Sequence, residues 1–450
     1  MSVGRNATWS HVAGRAAPVV LAAALLAAGG PARGQEPMRL TLDQAVELGL
    51  SHSRELAVAE AKVQEANARL GQARSSFFPQ LSASGSYTRL DEAPSMDLTP
   101  FGGSGRIYLG DDDIYSVGLT VTQPLFTGGA LLSAHGAAQH GARAQALARE
   151  RSVEQVRHDV TGAYLGLVQA REALRVMEDA ALQMRQHLAD VEALHGQGMV
   201  IMSDLMLARV RADEVELART RARHDVSIAG AALAFALGVD LETEIEPADA
   251  LERGEFPERD LGAWTEEALA ARPDLMAMVE AVGAADNAVS IARAGYLPQV
   301  LAMGTYAWDR PNLSYEPEFY DHWNVTVAAE MSVFDWGGTM NRVREARAGL
   351  VQAERSKELM ADVVRLEVKQ SFLRRNEAVA ALAIAEDGLA QAREAARVVR
   401  ESFRNGVATN STVLDAQAAL TGAEMSRIAA LAGLRLAETE LLLAAGVAGR

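Results

Sequence analysis

The chain repeats itself, and this internal repeat constrains its fold more than any other feature of the sequence. Residues 45–87 match residues 264–306 at a constant offset of 219 positions. Residues 126–239 match residues 334–447 at an offset of 208, so each copy contains one loop of variable length. The matched positions include Ala73/Ala292, Pro79/Pro298, Phe126/Phe334, Gly129/Gly337, Gly198/Gly406 and Gly238/Gly446. Two copies that keep their register over such long segments and differ in one loop predict two similar structural units.

Long helices are predicted where proline is absent, because proline breaks helix interiors. No proline lies between Pro124 and Pro247, or after residue 317. From Val153 to Val191 apolar residues recur at alternating spacings of three and four, which is a heptad seam. The second copy keeps this seam with smaller residues, and Ser371 and Arg375 interrupt it. We predict helices over about 129–195 and 338–404, each roughly 100 Å long at about 1.5 Å per residue.

Each long helix ends at a glycine-containing turn. Glycine just past a helix is a common left-handed cap, and serine is a frequent N-cap. Gly198 and Gly406 occupy the turns, and Ser203 and Ser411 follow as the predicted N-caps of returning helices at about 203–237 and 411–445. Each half of the chain is therefore predicted to form an antiparallel helical hairpin with its turn at one distal tip.

Predicted β-hairpins precede the long helices, over 80–123 and 299–331. Apolar and polar residues alternate along 81–88, 115–122 and 323–330, which is typical of strands with one apolar and one wet face. Residues 300–308 give the weakest alternation, because Leu301 and Met303 lie among its polar positions. Such strands can cross a membrane in a barrel with aromatic girdles. The candidate girdle residues are Tyr87, Tyr115, Tyr306, Trp308 and Trp323.

Four strands per chain cannot close a barrel, for which about eight are needed, and lipid excludes open sheet edges. The membrane interpretation therefore requires an oligomer. The alternative is two small soluble hairpins that cap a helical bundle. The predicted fold class is mostly α with a membrane β-barrel portion, built from a first repeat at 35–239 and a second at 263–450. The acidic segment 240–262 is predicted to connect them beside the waist of the molecule.

The N-terminus is predicted to be a secretory signal peptide over 1–34. Arg5 and Arg15 form a positive segment before a short apolar run, and Ala32-Arg33-Gly34 matches a small-x-small cleavage site. The apolar run is shorter than the roughly 20 residues that span a bilayer. The chain is thus expected to be exported.

Several classes of chemistry are excluded by composition and motif. The chain has no cysteine, which rules out disulfides, thiolate metal sites and cysteine nucleophiles. Its net charge of −16 argues against nucleic acid as a partner. The nine histidines have no zinc-site spacing, and no P-loop, G-x-S-x-G or G-x-G-x-x-G motif is present. We expect no catalytic residue, cofactor or metal, and therefore no enzyme.

The ordered set of motifs resembles a known family. The signal peptide, the two halves, the segments QPLFTGG (123–129) and VFDWGG (333–338), and the tips GMVIMSDL and GVATNSTVLDA are similar to those of TolC-type outer-membrane efflux proteins. The resemblance covers about residues 38–448. It implies a homotrimer with one 12-stranded outer-membrane barrel, four strands per chain, continued by a helical periplasmic tunnel. It also implies a periplasmic adaptor and an inner-membrane pump as partners of a passive export duct, in tripartite efflux or type I secretion.

The resemblance further implies roles for residues near the two tips. Asp415 matches an acidic residue of an anionic aperture ring, whereas the companion acidic position is Thr412 here. Asp204 is the third candidate residue at the aperture, and it matches a tip position that in some members helps latch adjacent helices. Its matched partners are Phe403, which has no hydroxyl, and Ala408, so a latch of the same chemistry is not expected. The matched adaptor-contacting positions are Gly198, Val200, Ser203, Gly406, Val407 and Ser411.

Ordinary structural roles remain open for these carboxylates, because an aspartate in the first turns of a helix interacts favourably with the helix dipole. A soluble periplasmic coiled-coil adaptor or scaffold is the alternative function. It accounts for the helices but not for the amphipathic strands that precede each long helix.

Overall fold

The computed structural model describes residues 38–314 and 316–447, and the predicted signal peptide lies outside the described residues. The helices are α1 (Leu42–His52), α2 (Arg54–Ser75), α3 (Ala130–Gly196), α4 (Met202–Leu237), α5 (Leu261–Ala271), α6 (Pro273–Ala294), α7 (Gly338–Arg404) and α8 (Asn410–Ala444). The strands are β1 (Met38–Leu40), β2 (Gln80–Arg89), β3 (Ser95–Asp97), β4 (Arg106–Tyr108), β5 (Asp113–Phe126), β6 (Ile245–Pro247), β7 (Gln299–Arg310) and β8 (Tyr320–Glu330).

The helices form one long layer. Helices α3 and α7 have 67 residues each, which makes each roughly 100 Å long. Towards the strands the packing order is α2, α3, α6, α7, and towards the tips it is α4, α3, α8, α7. Helix α6 is long and apolar enough, by length and composition alone, to cross a membrane, but it packs between α3 and α7 within this layer. The outermost long helices of this layer are therefore α2 and α4 on one side and α7 on the other, and the short helices α1 and α5 pack on α3 and α7.

The interruptions of the second heptad seam have a structural cause. Ser371 is buried in α7, and the guanidinium of Arg375 lies 5.1 Å from the ring centre of Phe256. Phe256 belongs to the segment between the repeats and packs on Trp264 of α5. Arg375 thus docks the inter-repeat segment onto α7, whereas Ser371 is a small buried residue within the helix.

The inter-repeat segment also packs against the middle of the first long helix. We call this region, which contains β1, β6, Tyr164 and Asp249, the belt at the waist of the helical layer. Its strand β6 pairs in parallel with β1 at the start of the described chain. The buried hydroxyl of Tyr164 on α3 lies 3.0 Å from the Leu40 carbonyl and 3.0 Å from Oδ2 of Asp249, and accepts the Asp249 N–H at 3.2 Å. This cluster fastens β1 and the inter-repeat segment to the first long helix.

The four long strands form one antiparallel sheet in the order β2-β5-β7-β8. Its register gives the sheet one apolar and one polar face. The exposed apolar face carries Leu81, Tyr87, Val117, Leu119, Val121, Tyr306, Trp308, Trp323, Val325 and Val327. The opposite face carries Ser82, Ser84, Ser86, Thr88, Ser116, Thr120, Thr122, Thr305, Asn324 and Thr326, and Leu301 and Met303 are among its apolar members.

Candidate functional site at the helical tips and the sheet

The first tip is a short turn between α3 and α4. Gly198 has a φ of +75°, and a Cβ there would meet nothing within 4 Å, so the turn requires glycine for its backbone conformation. The imidazole Nδ1 of His195 donates to the carbonyl of Val200 at 2.8 Å. Helix α4 begins at Met202 with Ile201 as its N-cap, so the prediction of Ser203 as N-cap is wrong. The chain enters α4 two residues earlier, which places Ser203 inside the first turn.

The second tip repeats this geometry with a polar cap. Gly406 has a φ of +70°, and Val407 beside it is 81% exposed. The N-cap of α8 is Thr409, whose hydroxyl accepts the Thr412 N–H at 3.3 Å. The prediction of Ser411 as N-cap is therefore also wrong, because the Thr409 hydroxyl already satisfies a free N–H of the first turn.

A hydrogen-bonded clasp joins the two tips within one chain. Nδ2 of Asn410 donates to the backbone oxygen of Asp204 at 3.0 Å. Oδ1 of the same amide accepts from Nε2 of His187 on α3 at 2.7 Å. Asn410 is only 4% exposed, and the ring of His187 packs on Phe403 with centroids 5.3 Å apart. The clasp therefore ties α3, α4, α7 and α8 together near their ends.

The contact between His187 and Asn410 was not predicted from the sequence. Asp204 participates through its backbone rather than through its carboxylate, and Phe403 through packing. Phe403 lies against the buried cluster of the first tip, beside Val191 and Leu205. Nothing in the local pattern of either residue marks them as partners, since they are far apart in the sequence.

Two of the three candidate aperture residues lie on an exposed stripe of α8, and the third lies on α4. Asp415 and Thr412 are both exposed and one turn apart, and the Thr412 hydroxyl lies 2.8 Å from Oγ1 of Thr409. Asp204 is half-buried at the start of α4. One carboxylate per chain thus stands free on this stripe, and Thr412 adds a hydroxyl in place of a second charge.

All five candidate girdle aromatics lie on the apolar face of the sheet, at the end away from the helices. Tyr87 is opposite Tyr115, with ring centres 4.9 Å apart, and Tyr306 is opposite Trp323. Trp308 contacts Tyr306 edge to face at 4.6 Å. The hydroxyls point outward to acidic groups, as Tyr87 donates to Asp113 and Tyr306 to Asp321, both at 2.7 Å. The arrangement is one amphipathic aromatic band.

A second exposed aromatic group, which was not predicted from the sequence, lies at the end of the sheet next to the helices. Its members are Phe78, Phe126, Phe334 and Trp336, all exposed. Phe334 and Trp336 contact each other at 4.9 Å. Aromatic girdles at both edges of an apolar band are typical of membrane barrels.

No metal site was found among residues 38–314 and 316–447: no group of three or more His, Cys, Asp or Glu side chains is placed to hold an ion. The candidate sites described above are surfaces, namely the two tips and the apolar sheet face.

Comparison with known proteins matches both repeats. The family model of the outer membrane efflux proteins matches residues 45–239 and 264–447. Protein CyaE of Bordetella pertussis is 27% identical over 321 residues, which cover 70% of this chain and 65% of that protein. The outer membrane efflux protein BepC of Brucella suis is 24% identical over 432 residues, which cover 96% of this chain and 91% of that protein.

Solved structures match the fold over the same extent. The CmeC outer membrane channel of Campylobacter jejuni superposes with a TM-score of 0.78 at 19% identity, over 90% of this chain and 86% of that one. The open state of the MtrE outer membrane channel of Neisseria gonorrhoeae superposes with a TM-score of 0.74 at 18% identity, over 90% of this chain and 89% of that one. These matches confirm the predicted fold class.

Proposed function

Because the chain belongs to the outer membrane efflux protein family, whose members are outer-membrane channels and not enzymes, we propose that it is a passive export duct. One observation carries this proposal. A sheet with an exposed apolar face runs directly into helices about 100 Å long, with only Thr127 to Gly129 between β5 and α3. The sheet suits the outer membrane, and the helices extend the same wall into the periplasm.

We infer that the duct is a homotrimer. Strands β2 and β8 are the edges of the described sheet, and open edges are not tolerated in lipid. Three copies would supply twelve strands and close a barrel. The helical layer supports this closure with apolar stripes on its two outer sides. The exposed members are Val210, Leu217, Ile228 and Phe235 on α4, and Leu359, Leu366, Leu373 and Ile384 on α7.

We further propose that the tips form the periplasmic end of the duct, and that the clasp between Asn410 and His187 holds this end closed at rest. A narrow passage lined by three copies of Asp415 would favour cations. A periplasmic adaptor and an inner-membrane pump would engage the tips and open them within a tripartite efflux or type I secretion system. The exposed apolar tip residues available to an adaptor are Met199, Ile201, Met202 and Val407.

A soluble adaptor or scaffold is the weaker alternative. It leaves the apolar sheet face uncovered in water, and contiguous exposed apolar patches typically mark membrane or protein contacts. No observation on the described residues favours it over the duct.

The test is single-channel recording of the detergent-extracted protein in a planar bilayer. We expect extraction to require detergent and the protein to give discrete cation-selective openings. Release by osmotic shock, together with no openings, would instead favour the soluble scaffold.

A further inference from the structure

The turn that starts each long helix carries a small residue in the first repeat and a large aromatic residue at the matching position of the second. Trp336 matches Gly128 at the offset of 208 positions. Both residues have a left-handed backbone, with φ of +54° and +63°. Glycine adopts this conformation without steric cost, whereas a tryptophan does so only against strain. The second repeat therefore places a large aromatic side chain where the first repeat has none.

Neighbouring groups hold Trp336 in this conformation. Oδ1 of Asp335 accepts the Gly337 N–H at 3.1 Å, and Oδ2 accepts the Thr339 N–H at 2.6 Å. These bonds cap the start of α7 and determine the direction in which Trp336 leaves the turn. Its side chain is 89% exposed and in contact with Phe334.

The neighbours of Gly128 show how much space the first repeat leaves for a side chain at this position. A Cβ built on Gly128 would lie 2.9 Å from Cβ of Leu297 and 3.0 Å from the backbone oxygen of Ala294. These two residues flank the turn between α6 and β7. The junction between the repeats of one chain is thus too tight for any side chain at this position.

The internal repeat also identifies what faces Trp336. At the offset of 219 positions, Ala294 matches Ser75 and Leu297 matches Phe78, in the turn between α2 and β2. That turn lies at the opposite edge of the described layer, and Phe78 is 57% exposed. Within one chain, the α6–β7 turn packs against Gly128. In a closed ring of copies, the equivalent neighbour of Trp336 is the α2–β2 turn of the next copy.

We propose that Trp336 packs against the α2–β2 turn of a second copy of the chain, beside its Phe78, and fills a junction between subunits that is wider than the junction between repeats. This inference rests on the proposed homotrimer. It gives a ring in which tight glycine junctions alternate with tryptophan-filled ones. It also gives the strand register between copies. Leu119 lies opposite Tyr306 within the chain. The residues at the matching positions of the other repeat are Val327 and Tyr87, so these two are expected to lie opposite each other between copies.

Cysteine cross-linking tests the contact without background, because the chain contains no cysteine. The double variant Trp336→Cys/Phe78→Cys in the outer membrane, treated with a short bismaleimide, is expected to give covalent dimers and trimers on a denaturing gel. Each single variant, with one thiol per chain, is the control and is expected to give none. The pair Val327→Cys/Tyr87→Cys reports strand pairing between copies independently.

The outcomes separate this inference from the proposed function. Linkage of the strand pair without linkage of Trp336→Cys to Phe78→Cys overturns the Trp336 contact and leaves the trimer intact. Failure of both pairs contradicts the homotrimer itself.

Fluorescence quenching tests lipid as the alternative occupant. A chain in which Trp336 is the single tryptophan, the other four being replaced by phenylalanine, is reconstituted into vesicles of brominated phosphatidylcholine. An indole packed against protein is expected to be quenched several-fold less than Trp323 in the matched single-tryptophan chain. Equal quenching would place Trp336 in lipid and overturn the proposal.

Discussion

The side-chain amide of Asn410 donates a hydrogen bond to the backbone oxygen of Asp204 across 3.0 Å, and so joins the tips of the two helical hairpins of one chain. The same amide accepts from His187 at 2.7 Å. Both bonds are shielded from water by the burial of Asn410. Removing a partner from such a group typically costs about 1–3 kcal/mol, so the clasp is strong enough to influence a closed tip.

Replacing Asn410 by alanine is expected to loosen the tips. A loss of about 1.4 kcal/mol changes an equilibrium tenfold, so the open population should rise by about that factor or more. Single-channel recording should show longer or larger openings, and intact cells should become more permeable to large antibiotics. His187→Gln, which keeps an N–H donor, should remain close to the unaltered protein. The matched control is Ser411→Ala, which removes an exposed tip hydroxyl outside the clasp. Unaltered openings in Asn410→Ala would argue against a closing role for the clasp.

Replacing Asp415 by alanine is expected to reduce cation selectivity. Three carboxylates around a narrow axis attract cations, and their removal leaves only neutral groups on this part of the α8 stripe. The reversal potential across a salt gradient should move towards zero, while the oligomer remains intact. Asp415→Glu should restore selectivity, and Asp213→Ala on α4 should have no effect. An unchanged reversal potential in Asp415→Ala would place the aperture elsewhere.

Arginine substitutions on opposite faces of β5 should have opposite consequences. Val121 lies on the apolar face, where an arginine near the bilayer centre costs about 2–4 kcal/mol. Val121→Arg should therefore lower the amount of protein recovered in the outer-membrane fraction. Thr120→Arg, on the polar face, should insert normally and change conductance or selectivity. The interpretation of the sheet fails if both variants insert equally well.

Tyr164 is expected to stabilise the belt at the waist. Tyr164→Phe leaves the Leu40 carbonyl and the Asp249 N–H without their common partner, which should cost about 1–3 kcal/mol of unfolding free energy. Thermal unfolding followed by circular dichroism measures this loss. Tyr296→Phe, at a half-exposed site, is the control and should unfold like the unaltered protein. An equal effect of both variants would contradict the assignment.

The same residue gives a pH dependence. Burial raises the pKa of Tyr164 from its ordinary value of 10.0 to about 12. The folded state then holds the phenol proton more tightly than the unfolded state does. The stabilising contribution is complete below pH 10 and is lost as the pH rises towards 12. The stability difference between the unaltered protein and Tyr164→Phe should therefore narrow over this interval.

The features predicted from the sequence were those that leave a periodic residue pattern or a constant offset between the two repeats. Helix length followed from the heptad seam and the missing prolines, and the two sheet faces followed from alternation. The N-caps were misplaced because Ile201 and Thr409, rather than Ser203 and Ser411, stand at the helix starts. A cap depends on where the preceding turn delivers the chain, and the residue preference alone carries no such geometry.

The sequence by itself determined the repeated architecture, because local hydrogen bonding and side-chain periodicity act over a few residues and leave a regular pattern. Only the tertiary structure decided which distant groups meet. Asn410 and Asp204 are joined across 206 positions. The tight site at Gly128 and the open site at Trp336 differ although the turns match. Both depend on which neighbour the packing brings alongside, and residue spacing within one segment does not specify that neighbour.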